Sequence, residues 1–307
     1  MKNEKISLVF FGSGPVAAES LRLLSKEFSI EAVITKPTTR TEMGEASPNT
    51  PLFVVENKVS LDKLFNEHKF SSNLGVLIDF GIIISQKVID YFPYGIVNSH
   101  FSLLPELRGA DPISFAILEG KQKTGVSLML LVQAMDEGPI LMMRDIKLIG
   151  TETSLGLTHE LIELSASMLI ETLPNYMDGK LKLIDQKSIV NERGVLPSYT
   201  RKLTKSDGVI DWNKPADIIE REIRAYIEWP KSHTVLGSVE VVITKAYAVP
   251  SASPTAMIGS IELVPEISSL SVKCAEGSLY IETLKPNGKN EMPIKAFLAG
   301  YKTRLGL

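Results

Sequence analysis

The sequence predicts an α/β protein, a doubly wound and mostly parallel sheet followed by a small β-barrel domain. Three observations predict it. Short apolar runs alternate with helical patterns along the first 180 residues, as a parallel sheet with crossover helices requires. A glycine turn, Gly12-Ser13-Gly14-Pro15, lies between the first apolar run and the first helical pattern. Beyond about residue 200 the chain changes to short alternating runs separated by Gly, Pro and Ser. The expected division is a first domain over 1–180, a linker over 181–199 and a second domain over 200–307.

In chain order, residues 6–11 read as a strand and 16–26 as a helix whose apolar face is Leu21, Leu23 and Leu24. A second strand over 31–35 ends at Lys36-Pro37. A polar loop then runs through Pro51, with a helix expected near 51–56 or beyond. Residues 74–78 form a third strand and 86–91 a helix. Ile96-Val97 leads a strand whose carboxyl end is Asn98-Ser99-His100. Residues 112–119 read as helix, 126–133 and 140–146 as strands, and 154–177 as a long amphipathic helix. The mixed, polar run that follows, with Gly194 and Pro197, supplies the linker. A helix over 216–225 precedes Trp229-Pro230. Strands are then expected over 239–244, 258–263, 270–274 and 279–284. Trp212 and Trp229 read as core or turn residues.

Composition narrows the function classes. The hydrophobic fraction of 44% and charged fraction of 22% are those of a globular chain. A single cysteine, Cys274, excludes an internal disulfide framework, and no two histidines have metal-ligand spacing, so no metal is expected. The apolar run after Met1-Lys2-Asn3-Glu4-Lys5 is too short for a signal peptide, and no stretch reaches the length of a membrane span. A cytoplasmic location is expected. Residues 195–307 hold 14 Lys and Arg against 12 Asp and Glu in a chain of net charge −3, a weak asymmetry that a solvated surface or an RNA partner explains equally well. Lys285, Lys289, Lys295, Lys302 and Arg304 form a sparse basic set near the C-terminus.

The chemistry concentrates between residues 96 and 112. Asn98 and His100 are two apart on an extended segment, so their side chains share a face. In an open parallel sheet, ligands bind beyond that end of the strands. Pro105, Arg108, Gly109 and Pro112 make the next stretch a stiff, irregular loop. Met135-Asp136-Glu137-Gly138-Pro139 offers a carboxylate in a second loop, for which Asp79 and Asp111 compete. An amide donor, an imidazole and a carboxylate together can manage charge and protons at a carbonyl. The glycine turn invites a dinucleotide reading, but the second strand ends in Thr35-Lys36 where an acidic residue would hold the ribose. A turn that exposes backbone N–H groups accounts for it better.

At this point the residues resemble a known family. Asn98-Ser99-His100, Ser102-Leu103-Leu104-Pro105, Arg108-Gly109, Pro112 and Met135-Asp136-Glu137-Gly138 are similar to the signature of folate-dependent formyltransferases. The C-terminal half resembles the branch whose acceptor is methionyl-tRNA. It does so through Tyr199-Thr-Arg-Lys202, Ile210-Asp211-Trp212, Ile223-Arg224-Ala225, Trp229-Pro230 and Leu284-Lys285-Pro286-Asn287-Gly288-Lys289.

The resemblance implies a Rossmann-like formyltransferase fold with an OB-like C-terminal barrel that touches tRNA. It implies transfer of the formyl group of 10-formyltetrahydrofolate to initiator methionyl-tRNA, by a monomer with no metal and no protein partner. The implied catalytic set is Asn98, His100 and Asp136. The folate would be held by Ser102, Leu103, Leu104 and Pro105 with the backbone of Phe80, Gly81 and Ile82. Gly12, Ser13, Gly14, Arg40 and Arg108 would meet the acceptor.

Three departures from the family pattern stand out. The glycine turn reads Gly12-Ser13-Gly14-Pro15-Val16 in place of Gly-Thr-Pro-x-Phe. Glu106 stands where Arg is usual. Residues 36–50 set Glu42 and Glu45 against Lys36 and Arg40 where the family is often basic. An amino sugar nucleotide as acceptor and a non-catalytic RNA-binding relative stay open as alternatives.

Overall fold

The computed structural model describes residues 5–250, 256–264 and 269–306. The lead-in over 1–4 lies outside them. By internal contacts the chain separates into two units. The first comprises residues up to Pro112, Lys123–Lys147 and Thr158–Thr200; the second takes Ile113–Gln122, Leu148–Leu157 and the chain from Arg201 onward.

The first unit is built on β1 (Ser7–Gly12), α1 (Pro15–Leu24), β2 (Ser29–Thr35), α2 (Arg40–Ala46), β3 (Leu52–Val54), α3 (Lys58–Glu67), β4 (Gly75–Ile78), α4 (Gln86–Ile89) and β5 (Ile96–His100). After the short β6 (Arg108–Gly109) the chain passes through α5 (Pro112–Leu118), which from Ile113 counts with the second unit, and returns as β7 (Lys123–Leu130), β8 (Ile140–Lys147), α6 (Ser154–Met177, of the first unit from Thr158), α7 (Gln186–Arg193) and β9 (Tyr199–Thr200). The seven-stranded sheet runs β3-β2-β1-β4-β5-β7-β8. Its first five strands are parallel, and β7 and β8 are antiparallel additions. The parallel core strands are apolar almost throughout, as expected for strands covered on both faces.

Local chemistry sets several boundaries. Pro15 opens α1, Asn57 and Ser60 close a capping box on α3, and Ser85 caps α4. On one side of the sheet Phe11 sits among the rings of Phe65, Phe80 and Phe92, with centroids 5.7–6.1 Å away. Burying side chains of this size contributes about 1.5–3 kcal/mol each and fixes the strand ends that carry the site.

One expectation is corrected and one sharpened. Residues 36–50 are not an open polar loop: a 3₁₀ turn at Pro37–Thr39 leads into α2, which buries Met43 and Ala46. The helix expected near 51–56 or beyond lies beyond, beginning at Lys58, and Leu52–Val54 are strand β3 paired with β2. Within 181–199 lies α7, capped by the Asp185 side chain and closed by Gly194 at φ 67°.

The second unit carries α8 (Ala216–Ala225), β10 (His233–Leu236), β11 (Val239–Val249), β12 (Ile261–Val264), β13 (Ser269–Lys273), β14 (Ser278–Pro286), β15 (Met292–Pro293) and α9 (Ile294–Tyr301). The strands form a curled antiparallel sheet in the order β10-β11-β14-β13-β12, with β15 beside β14. Ile219 and Ile223 of α8 and Phe297 of α9 join Val241, Ile243, Leu270, Val272, Leu279 and Ile281 in its core. Trp229, expected in the core or a turn, is half exposed and donates Nε1–H to the Leu203 carbonyl at 3.3 Å. No helix among the described residues is long and apolar enough to cross a membrane.

Candidate active site

Strands β1, β4 and β5 are neighbours and parallel, so the glycine turn, the 79–82 segment and the end of β5 lie along one edge of the sheet. Asn98 and His100 point to one side of β5 and are 7% and 6% exposed. Strand β7 leaves beside Val97, and the loop that follows returns Asp136 to both of them. Asn98 Nδ2–H donates to Asp136 Oδ1 at 3.4 Å, and His100 Nδ1 lies 3.7 Å from Asp136 Oδ2. The same Oδ2 accepts the Gly109 N–H at 2.7 Å. Asp136 holds this place at φ 52°, in the left-handed region.

The hydrogen bonds fix the tautomer of His100. Its Nε2 lies 2.9 Å from the Leu107 carbonyl oxygen, which only accepts, so Nε2 carries the proton. Nδ1 is left as the lone-pair nitrogen, facing the Asp136 carboxylate. Once protonated at Nδ1, the ring has an anionic partner already in place.

The loop between Phe101 and Gly109 is braced from inside. Ser102 Oγ–H donates to the Glu106 carbonyl at 2.7 Å, and Ser127 Oγ joins the loop by accepting the Leu104 N–H and donating to the Ser102 carbonyl. Ser102, Leu104 and Pro105 are buried and Leu103 is half-buried. The segment expected to hold a folate is thus packed mostly into the interior, with Leu103 its most open side chain. Phe80 is likewise core, so in its segment the groups open to a ligand are the backbone, Gly81 and the half-buried Ile82. Lys36 Nζ lies so close to Gly81 that a Cβ there would stand 3.0 Å from it.

Arg108 has a different place from the one expected of an acceptor contact. It is 6% exposed, and its guanidinium turns inward. Nε and Nη2 donate to Gln186 Oε1 at 3.2 and 2.7 Å, and Nη1 donates to Tyr199 Oη and Glu137 Oε1, each at 3.0 Å. A buried cation with this many partners is costly to disturb, since removing one side of such a set typically costs about 3–5 kcal/mol. Arg40, by contrast, is exposed. Gly12, Ser13 and Gly14 are buried, with the Ser13 N–H on the Asp79 carbonyl at 2.9 Å. A Cβ at Gly12 would fall 2.5 Å from the Phe10 ring, which requires glycine there.

Sequence reasoning missed Gln186, Tyr199 and the Leu107 carbonyl. The first two lie in the run read as a linker and its edge. Gln186 was signalled only by its place behind the helix-capping Asp185, and Tyr199 only by its part in the Tyr199–Lys202 resemblance, which gave it no place beside Arg108.

A cavity of about 410 Å³ opens on the same unit, lined by Ile89, Phe92, Leu130, Val132, Pro139 and Tyr176 among others. Several of these belong to the loop that carries Asp136. Its largely apolar wall and its size are those of small-molecule sites.

Comparison with known proteins adds to this geometry. A model of the formyl transferase family matches residues 5–173, and one of the formyl transferase C-terminal domain matches 202–302. The methionyl-tRNA formyltransferase of Citrifermentans bemidjiense is 31% identical over 97% of this chain and 95% of its own. That of Myxococcus xanthus is 32% identical over 97% and 96%. Among solved structures, an N-formyltransferase from Helicobacter canadensis, in complex with folinic acid and dTDP-3-aminofucose, superposes with a TM-score of 0.67 at 18% identity, covering 90% of this chain and 98% of that one. HypX from Aquifex aeolicus, in complex with tetrahydrofolic acid, gives 0.62 at 17% identity; the match covers 97% of this chain and only 47% of HypX. At these identities the two structures bear on the fold alone.

Proposed function

The chain belongs to the formyl transferase family, and from that premise we propose that it transfers the formyl group of 10-formyltetrahydrofolate to the α-amino group of initiator methionyl-tRNA. The product, N-formylmethionyl-tRNA, serves translation initiation. The observation that carries the chemistry is the Asp136 carboxylate set against both Asn98 and His100 at the end of a buried strand. The choice of acceptor rests on the relatives that match the chain nearly end to end. In this reading residues 1–180 hold the chemistry, 181–199 connect, and 200–307 touch the tRNA. The protein works in the cytoplasm as a monomer.

The residues fit a folate by their chemistry: an apolar cavity lies beside the loop of Asp136, lined there by Leu131, Val132 and Pro139, and the Ser102–Pro105 segment is braced by its own hydrogen bonds and by Ser127. The folate supplies an activated formyl group. A free α-amino group has a pKa of about 7.7–8.0, so near neutrality it needs little help to lose a proton. Placing it against the formyl carbon is worth on the order of 7–11 kcal/mol. Asn98 Nδ2 has a second hydrogen beyond the one directed at Asp136, and it meets the negative charge that develops on the formyl oxygen. As the new C–N bond forms, the amine proton would pass through water to Asp136 and on to His100 Nδ1, and from Nδ1 to N10 as the old C–N bond breaks, so that the carboxylate faces the imidazolium while the ring holds the proton and neither side chain keeps it.

The test is a formylation assay on purified protein. With 10-formyltetrahydrofolate, charged initiator tRNA should gain a formyl group, and a dTDP-linked amino sugar should not. Formylation of the sugar alone would move the acceptor; no transfer to either would remove the reading.

A further inference from the structure

We propose that Gln186 is a positioning residue for Asp136, locking the loop of Asp136 to the buried Arg108 and so setting the carboxylate against His100 and Asn98. This rests on the functional reading above. Gln186 opens α7 and is 2% exposed. Its Nε2 donates to two backbone carbonyls of the loop, Asp136 at 2.8 Å and Gly138 at 2.9 Å. Its Oε1 accepts both Nε–H and Nη2–H of Arg108. Those carbonyls only accept and a guanidinium only donates, so the amide has a single orientation that satisfies all four bonds.

The side chains of the loop are tied elsewhere, Asp136 to Gly109 and Asn98 and Glu137 to Arg108 and Tyr199, while Gln186 holds its backbone carbonyls. Asp136 stands at positive φ, and Gly138 packs so tightly on strand β7 that a Cβ there would lie 1.7 Å from the Leu130 carbonyl. One amide therefore grips the loop on either side of Glu137. Meanwhile Arg108, which it holds by the other end, adjoins Gly109, the donor to the Asp136 carboxylate. A shift of Gln186 moves both the carboxylate and the N–H that orients it. It touches no reacting atom and acts only through Asp136.

Gln186→Glu is the sharp variant. It keeps the shape and the acceptor for Arg108 but replaces the Nε2 donor by an oxygen facing two carbonyls. Expected in formylation of methionyl-tRNA is a fall in kcat of about 10- to 100-fold, with KM for both substrates within about threefold. In an Asp136→Asn background the same substitution should cost less than about twofold, because the group it positions is already gone. A merely structural role would give equal losses in both backgrounds, and that result, or an unchanged kcat, overturns the proposal.

Hydrogen exchange at the Gly109 amide, which Asp136 protects, gives a readout independent of turnover. It should quicken in Gln186→Glu, and in Gln186→Leu should the first variant fold poorly, while exchange of the β1 and β4 amides stays as in the wild type. If wild-type protein formylates nothing, the functional reading fails; the exchange experiment still decides whether Gln186 holds Asp136, and unchanged protection at Gly109 refutes it.

Discussion

The Gly109 N–H donates to Asp136 Oδ2 across 2.7 Å, joining the loop after β5 to the loop after β7. That one bond leaves Oδ1 to Asn98 and turns Oδ2 toward His100. The carboxylate is thus aimed by backbone, the kind of preorganisation that the proposed reaction requires.

Gly109 itself is the first test of this. It sits at φ +104°, and a Cβ would meet the Thr200 carbonyl at 2.6 Å. Gly109→Ala should shift the loop by some tenths of an ångström or more and lower kcat about 10²-fold, with far-UV circular dichroism unchanged. Wild-type turnover in this variant would show that the Gly109–Asp136 bond is dispensable.

Asn98→Ala should lower kcat by about 10²–10³-fold while KM for methionyl-tRNA changes little, because the lost donor acts on charge that exists only during the reaction. Steady-state kinetics with both substrates varied separates this from a binding defect, in which KM would rise and kcat would hold.

Arg40, exposed at the start of α2, is proposed to reach a phosphate of the acceptor. Arg40→Ala should weaken binding of initiator tRNA and reduce the slope of log K against log salt by about one unit. Filter binding across a salt series reads the slope directly, and an unaltered slope places Arg40 away from the phosphates.

Acid stability of the second unit depends on Asp207. The Arg201 guanidinium hydrogen-bonded to it, together with the Thr204 N–H, holds this carboxyl well below the ordinary carboxylate range. A depressed folded-state pKa means stability that is fully present above the unfolded value and is lost as pH falls through the folded one. Asp207→Asn should therefore lower stability at pH 7 and flatten its loss below about pH 4. Urea unfolding at a series of pH values checks it; parallel pH curves for wild type and variant would contradict it.

The parts of the site that the sequence displays are those whose side chains obey a period. Asn98 and His100 alternate on a strand, and Asp136 sits in an Asp-Glu-Gly turn, so all three were legible. The seven-stranded sheet was legible for a similar reason, through its apolar parallel strands. What stayed hidden works through backbone or through distance. The Leu107 carbonyl that sets the histidine tautomer is a group every residue has. Gln186 meets carbonyls 48 and 50 positions away from inside a polar run. Helix α2 buries only Met43 and Ala46 and has no side-chain cap, so its pattern is that of a loop. Strand β3 has three residues, too few to show a period.

The parallel pairing of β6 with β9 has a bearing on how the protein is made. Arg108 and its partner Tyr199 are 91 residues apart. At a synthesis rate of about 5–20 residues per second, the loop of His100 waits roughly 5–18 seconds on the ribosome before the segment that clamps it emerges. Every residue of the implied catalytic set is by then already translated, yet Arg108 has neither Gln186 nor Tyr199 to hold it. On the proposed chemistry, competence would wait for the last residues of the first unit, and a chain cut short at 180 would carry Asn98, His100 and Asp136 without the contacts from Gln186 and Tyr199.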